Sequence, residues 1–232
     1  MGDDKYQVAR GQAELYPPEY FSARTGNDSR RQRQFAWEGA WLKTYCPTGR
    51  IMDVGCSTGE FLAAIEWPGE RYGMEISEYA RTIAETTGVQ FHPSIFEAQS
   101  FFDCVVFRGT IQHIDEPFRF VKYANRSLVE GGFIVFLATP NTNAPLYRLK
   151  KRLPFTTPAL NFLLPDDITL PNALRNFGFL VREIRYPYWD SPYRSLISDH
   201  AKFMLNALTP GFFPHAFWRS SMEIVAEKIR TV

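Results

Sequence analysis

The sequence predicts an α/β fold in which a doubly wound, mostly parallel sheet carries helices on both faces. Two observations lead to this prediction. Short apolar runs alternate with helix-like segments from residue 50 to residue 138, a pattern typical of parallel sheets. A glycine turn, residues 55–59, joins the first strand to the helix that follows it. Because such sheets bind ligands at the carboxyl ends of their strands, we expect the functional site at that edge.

The individual elements follow from apolar spacing and from turn residues. Strands are predicted at residues 50–54, 71–76, 89–92, 103–107, 133–138, 179–186 and 222–229. Helices are predicted at residues 30–45, 60–66, 78–87, 117–129, 169–176 and 196–208. Ser77 is a suitable N-cap for the third of these helices and Thr169 for the fifth. Gly131 and Gly132 are expected to end the fourth helix.

The length of 232 residues favours a single domain, residues 1–232. We divide it into an N-terminal helical cap (1–48), a core (49–141), insertions on the ligand side that include one core helix and strand (142–220), and a final strand (221–232). The insertions are rich in aromatic residues. A C-terminal helical and aromatic cap above the sheet is therefore expected.

Composition excludes several classes of partner. Lys plus Arg is 26 and Asp plus Glu is 25, so the net charge of +1 gives no field that would attract nucleic acid. An odd set of three cysteines without a C-x-x-C pair indicates free thiols and a cytoplasmic location, not disulfides or zinc. No apolar run approaches the ~20 residues of a transmembrane segment.

Asp166 and Asp167 lack a third ligand at suitable spacing, so no metal site is expected. The sequence leaves both a monomer and a homodimer open.

The glycine turn carries most of the functional information. It reads Asp53-Val-Gly-Cys-Ser-Thr-Gly59, and residues without a bulky Cβ let a nucleotide approach the backbone closely. Glu75 ends the next strand, where an acid can accept both ribose hydroxyls. Position 57 is serine, which argues against the G-x-G-x-x-G pattern of dinucleotide-binding proteins.

Four segments in order resemble the class I S-adenosylmethionine-dependent methyltransferases, in particular a bacterial subgroup that modifies small molecules and sugars. They are the glycine turn at 53–59, the ribose-binding acid motif at 73–77, the fourth-strand motif at 102–117, and a G-G–strand–T-P-N segment at 131–141. Within the third segment, residues 111–117 are a variant of L-E-H-x-x-D-P. The resemblance covers residues 50–141 and extends more weakly to 168–186 and 222–229.

The resemblance implies a Rossmann-like sheet of seven strands, the last one antiparallel, and S-adenosylmethionine as cofactor. Asp53 would anchor the turn and the amino acid part of the cofactor. Gly55 and Gly59 would let the backbone pass the methionine part, Glu75 would bind ribose, and Ile76 would pack on adenine. The rest of the implied cofactor site comprises Cys56, Ser57, Ser94, Ile95, Arg108 and Gly109. No acid stands at Ser94, where the family often has one near the adenine amine.

Methyl transfer to an alcohol benefits from a general base near neutral pKa, and histidine suits that role. His113 follows the fourth predicted strand, where the donor methyl should point, and is our candidate base. A structural role for His113 within the motif is the alternative.

The acceptor is expected to be a small molecule bound by residues outside the core. Aromatic and basic candidates are Tyr16, Tyr20, Arg24, Trp189 and Tyr193. Basic runs at 30–33 and 148–152 favour an anionic acceptor, such as a nucleotide-linked or lipid-linked sugar, although such runs are commonly solvated faces.

Three readings remain. We expect O-methylation of a sugar or similar metabolite. N-methylation of an amino sugar or another amine is the first alternative, and a non-catalytic S-adenosylmethionine-binding module is the second. Residues 107–110 lack the Asn/Asp-Pro-Pro-aromatic tetrad of enzymes that methylate exocyclic amines of nucleic acids.

Overall fold

The computed structural model describes residues 17–22, 29–151, 153, 161–206 and 217–232. Within these residues the chain forms one six-stranded sheet of order β2-β1-β3-β4-β6-β5. The strands are β1 (Ile51–Val54), β2 (Arg71–Met74), β3 (Phe102–Arg108), β4 (Leu128–Pro140), β5 (Phe179–Arg185) and β6 (Ser221–Lys228). The four strands β2, β1, β3 and β4 are parallel. β6 runs antiparallel between β4 and β5, which confirms the predicted direction of the last strand.

Helices connect the strands and cover the sheet. They are α1 (Pro18–Ser22), α2 (Ser29–Tyr45), α3 (Glu60–Ala64), α4 (Glu78–Thr86), α5 (Pro117–Ser127), α6 (Pro145–Lys150), α7 (Thr169–Asn176) and α8 (Leu196–Asn206), with a 3-10 turn at Ile111–His113. Among the helices in these ranges, none combines the length and the apolar character of a membrane span.

The core lies on both faces of the sheet because successive side chains of a strand point to opposite sides. On one face, Val105 and Phe107 pack in a cluster that includes Val121 of α5 and Leu174 of α7. On the other face, Cys104 and Val106 share a cluster with residues of α2 and α3. The predicted doubly wound architecture is thus present, with α2 and α3 opposite α5 and α7.

The sheet has six described strands instead of the predicted seven. The third predicted strand, residues 89–92, forms only an isolated bridge between Gln90 and Tyr72. Gln90 N donates to Arg71 O at 2.9 Å, and Gly73 N donates to Gln90 O at 2.8 Å. Pro93 has no N–H group to extend this pairing.

Two further local predictions were wrong. Gly131 and Gly132 lie inside β4 and do not end a helix, since α5 already ends at Ser127. Gly131 has φ +73° where the β3–β4 register shifts, so it forms a bulge in the strand. Thr169 does not cap α7. The side chain of Asp166 does so, because its Oδ1 accepts hydrogen bonds from the backbone N–H groups of residues 168 and 169.

Candidate active site

The turn after β1 adopts a conformation that most side chains disfavour. Gly55, Ser57 and Gly59 have φ of +78°, +52° and +76°. A Cβ at Gly55 would lie 2.5 Å from Cγ2 of Thr110, in the loop after β3. The turn therefore requires glycine at position 55 for two reasons, its backbone conformation and its contact with the neighbouring loop.

Cys56 faces the protein and not the ligand edge. Its side chain is buried, and a Cβ at Gly73 of β2 would come within 2.6 Å of its Sγ. Burial raises the pKa of the Cys56 thiol well above its usual value. Cys56 can therefore contribute its backbone, but not a thiolate, to a ligand site.

Glu75 closes the turn from the adjacent strand. Its Oε2 accepts a hydrogen bond from Ser57 N at 2.9 Å and its Oε1 accepts one from Ser77 N at 2.8 Å. Burial raises the pKa of Glu75, and these backbone hydrogen bonds oppose the shift only in part. A carboxylate oxygen can accept two hydrogen bonds, so both oxygens retain capacity for ribose hydroxyls.

Asp53 lies below the turn with only 2% of its surface exposed. Its Oδ1 is buried and has no hydrogen-bond partner in the described structure. Burial raises the pKa of Asp53 to about 7, although the charge of Arg108 acts in the opposite direction. A buried acceptor without a donor is costly, so this atom fits a ligand that supplies one, such as the ammonium of S-adenosylmethionine.

An open pocket lies beside this turn. Its lining residues are Gly73, Met74, Glu75, Arg81, Phe91 and His92. Ile76, next to Glu75, is partly buried, whereas Ser94 and Ile95 are fully buried. The side chain of Ile95 belongs to the hydrophobic core.

Glu97 is an acid of this region that sequence reasoning missed. Its Oε2 accepts hydrogen bonds from Ser94 N at 2.8 Å and from Ser94 Oγ at 2.9 Å. These hydrogen bonds lower the pKa of Glu97. A carboxylate thus stands beside Ser94 although the sequence has no acid at that position. The spacing of three residues, with serine before glutamate, is the capping pattern that would have indicated it.

Arg108 is the last residue of β3 and is held in place by helix α2. Its Nε donates to Oε2 of Glu38 at 2.6 Å, and its guanidinium lies 4.4 Å from the centre of the Phe35 ring. Glu38 is fully buried and also accepts a hydrogen bond from Gln34 at 2.9 Å. Sequence analysis predicted the helix but did not identify Glu38. An acid flanked by aromatic residues on the buried side of an amphipathic helix was the available signal.

A second buried ion pair lies further along the same edge of the sheet. Arg185 at the end of β5 donates to Glu223 of β6 at 2.6 Å. Its guanidinium lies 3.7 Å from the ring centres of both Trp37 and Trp41 of α2. Burial raises the pKa of Glu223 above its usual range. Helix α2 therefore covers a row of buried charges at the carboxyl edge of the sheet.

His113 lies at the same edge, after Gly109, which has φ +62°. It ends the 3-10 turn, is half-buried, and its backbone N–H donates to Thr110 O at 2.8 Å. Its neighbour Gln112 is buried and donates to Gly109 O at 3.0 Å. The predicted base and the predicted cofactor turn thus occupy the ends of neighbouring strands, β3 and β1.

Of the expected acceptor residues, the structure describes Tyr20, Trp189 and Tyr193, which lie in two separate segments of the chain. Tyr20 on α1 packs edge-on against Phe21, which lies 6.1 Å from the ring of Tyr79 on α4. Trp189 is 59% exposed and Tyr193 is half-buried, in a segment that Tyr188 links to α8 through Asp199. Tyr16 and Arg24 lie outside the described residues.

The acidic pair at 166–167 has structural roles. Asp166 caps α7, and Asp167 accepts hydrogen bonds from four side chains, namely those of Asn141, Asn143, Tyr186 and Arg219. In the part of the chain that the structure describes, no group of three His, Cys, Asp or Glu side chains could hold a metal ion.

Comparison with solved structures relates this arrangement to known folds. An S-adenosylmethionine-dependent methyltransferase of Thermotoga maritima, whose name gives histamine N-methyltransferase as a possible activity, matches with TM-score 0.58 and 20% identity. The match covers 91% of this chain and 99% of that one. An Archaeoglobus fulgidus methyltransferase has TM-score 0.57 and 19% identity over 84% of this chain and 94% of that one. At such identities the likeness shows a shared fold.

A third structure contains the cofactor. Phosphoethanolamine N-methyltransferase 2 of Haemonchus contortus, in complex with S-adenosylmethionine, matches with TM-score 0.55 and 15% identity. The match covers 93% of this chain and 59% of that one. A comparison with curated protein sequences found no match.

A family profile described as a methyltransferase domain matches residues 24–184, which include the glycine turn, Glu75, Arg108 and His113. The positive-φ turn, the unsatisfied Oδ1 of Asp53 and the free capacity of Glu75 fit S-adenosylmethionine as the cofactor. The chain belongs to the methyltransferase domain family and is an S-adenosylmethionine-dependent methyltransferase.

Proposed function

We propose that this enzyme methylates a hydroxyl group of a small sugar or glycan-type acceptor and that His113 is its general base. The observation that supports this proposal is the position of His113 at the carboxyl end of β3, beside the strand that carries the cofactor turn. Imidazole is the side chain best suited to accept a proton near neutral pH.

The chemistry divides between the cofactor and the chain. Bound S-adenosylmethionine supplies a methyl group that its positively charged sulfur already activates. The protein must mainly align the acceptor oxygen with that methyl group. A bond forms between the methyl carbon and the acceptor oxygen while the S–C bond to that methyl group breaks. The hydroxyl proton passes to an imidazole nitrogen of His113. Arg108, which Glu38 holds in place, would form part of the site beneath the methyl donor.

Tyr16, Tyr20, Arg24, Trp189 and Tyr193 remain our candidates for binding the acceptor. Among those that the structure describes, Trp189 has the most exposed ring, and a flat ring suits stacking on a sugar face. Within the proposal, the acceptor is a sugar, including nucleotide-linked or lipid-linked forms, and the enzyme works in the cytoplasm.

N-methylation of an amine is the alternative reaction. It gains support from the names of two similar structures, which mention histamine and phosphoethanolamine N-methylation. A neutral amine is nucleophilic without a base, so this reaction would not depend on His113.

A labelled-methyl assay against pools of nucleotide sugars, glycans and amines tests the proposal, with H113Q as the variant. We expect transfer to a hydroxyl acceptor, a fall in kcat of about 100-fold in H113Q, and loss of the acidic limb of the rate–pH profile. The affinity for S-adenosylmethionine should stay unchanged in that variant.

H200Q is the matched control, because His200 is exposed on α8, where its Nδ1 contacts Leu196 O. Its kcat should equal that of the wild type. Transfer to amines alone, or full activity of H113Q on a hydroxyl acceptor, would contradict the proposal.

A further inference from the structure

We propose that Arg219 binds an anionic group, a carboxylate or a phosphate, on the methyl acceptor. The inference rests on the proposed function in one respect: it assigns a substrate class to the same site.

Arg219 stands at the ligand edge of the sheet. It lies just before β6, which runs opposite to the other strands, so β6 begins where β4 and β5 end. The pairs Pro140–Ser221 and Arg185–Glu223 define this level of the sheet. The turn after β1 and His113 after β3 lie at the same edge.

The backbone at this point is strained. Trp218 and Arg219 have φ of +36° and +61°, and neither is glycine. A non-glycine residue in this region is unfavourable and persists only where its surroundings enforce it. Two such residues in succession fix the direction in which the Arg219 side chain leaves the chain.

Asp167 holds that side chain from below. The Asp167 side chain is only 4% exposed, and its Oδ2 accepts a hydrogen bond from Nη2 of Arg219 at 2.8 Å. Asn143 donates to Asp167 at 2.7 Å, and Tyr186 donates at 2.5 Å. Burial opposes ionisation of Asp167, but the hydrogen bonds and the charge of Arg219 outweigh it, so its pKa is lowered. Asp167 is therefore a fixed anion that anchors Arg219.

The guanidinium of Arg219 keeps a free side. Its centre lies 4.0 Å from the centre of the Tyr186 ring, and its side chain is 54% exposed. Its hydrogen bonds within the described residues, to Asp167 and to the Tyr186 hydroxyl, both involve Nη2. The N–H groups of Nε and Nη1 remain available, and each can donate a charge-assisted hydrogen bond to an oxygen of a carboxylate or phosphate.

The charge of the cluster favours an anion. Asp167 offsets one positive charge, but Arg148 also joins the cluster through a hydrogen bond to Asn143. Two guanidinium groups thus accompany one carboxylate. A neutral sugar would gain nothing from this excess, whereas an anionic acceptor would be attracted to it.

A backbone segment links this cluster to the candidate base. The N–H groups of Phe162 and Leu163 donate to Gln112 O, the residue before His113, at 2.9 and 3.4 Å. Five residues further along, Asp167 holds Arg219. An acceptor anchored by its anionic group on Arg219 could therefore present a hydroxyl toward His113.

Isothermal titration calorimetry of the full chain, saturated with S-adenosylhomocysteine, tests the proposal. The probes are glucuronate, which carries a carboxylate, uridine diphosphate, which carries phosphates, and neutral glucose. We expect wild type to bind one of the two anions and R219Q to bind it at least tenfold more weakly. The anion that binds identifies the source of the negative charge.

R182Q is the matched control. Arg182 also pairs with an acid on a neighbouring element, Glu227 on β6, and is 43% exposed, but it lies toward the opposite end of the sheet. Its affinity for the anion should equal that of wild type. If R219Q does not fold, R219K decides: it keeps the charge but loses the N–H donors of Nε and Nη1, and we expect at least threefold weaker binding.

The proposal is overturned if wild type binds neither anion, if glucose binds as tightly as the anions, or if folded R219Q or R219K retains wild-type affinity. The titration involves no methyl transfer. Failure of the His113 proposal would therefore appear in the kinetic assay alone, and failure of the Arg219 proposal in the titration alone.

Discussion

At the scale of single residues, the turn after β1 depends on a contact that the sequence motifs do not reveal. Gly55 has φ +78°, and a Cβ there would meet Thr110 at 2.5 Å. The sequence pattern assigned the glycine to cofactor approach alone. In the structure the same glycine also lets the loop after β3 pack against the turn, which brings His113 and Glu75 to one edge.

Alanine at Gly55 should therefore destabilise the protein more than alanine at another positive-φ glycine. Gly131 has φ +73°, but the nearest atom to its Cβ would be 3.9 Å away. We expect a loss of about 1 kcal/mol for G131A from conformation alone. For G55A we expect about 3 kcal/mol, because overpacking adds to that cost. Urea denaturation without cofactor measures both losses, and equal losses would contradict this reading of the turn.

Some functional residues could be identified from sequence and others could not. Asp53 and Glu75 stand at fixed positions relative to strands and to the glycine turn, so spacing was enough. Glu38 and Arg219 depend on contacts over long sequence separations, with Arg108 and Asp167 respectively. Neither partner is visible before the chain is folded.

At the scale of elements, helix α2 serves as the cover of the buried charges at the ligand edge. Glu38 pairs with Arg108, and Trp37 and Trp41 enclose Arg185. The spacing of aromatic residues predicted this helix correctly. It indicated an ordinary amphipathic helix, whereas the structure uses it to neutralise and shield Arg108 and Arg185.

Removal of the charge of Glu38 should show how much the contact between α2 and Arg108 contributes to the free energy of unfolding. Glu38 is fully buried, so E38Q leaves the mostly buried Arg108 without its counter-charge, and we expect a loss of about 3 kcal/mol in the free energy of unfolding. E116Q breaks an ion pair of similar length with Arg119, but on the exposed surface, and should cost under about 0.5 kcal/mol. The difference is measured by urea denaturation, and E38Q as mild as E116Q would refute the role of α2.

At the scale of the whole molecule, the alternation of apolar runs and helices predicted the parallel half of the sheet, and the family resemblance implied the antiparallel last strand. Residues 89–92 did not form a full strand, because pairing stops before Pro93. Hydrophobic periodicity predicts which face of an element is buried. It does not predict how long an edge strand stays paired, and it gives no position for the ligand-side insertions, where Trp189 and Tyr193 lie.

We propose that the turn at residues 55–59, together with Glu75, holds S-adenosylmethionine in this enzyme. Calorimetric titration with S-adenosylmethionine tests it most directly, with wild type, E75Q and the control E78Q, whose site is exposed at the start of α4. Charge-assisted hydrogen bonds contribute about 1.5–3 kcal/mol, so E75Q should bind at least about tenfold more weakly. E78Q should match wild type. Absence of binding by wild type, or equal affinities for E75Q and wild type in folded proteins, would contradict the claim.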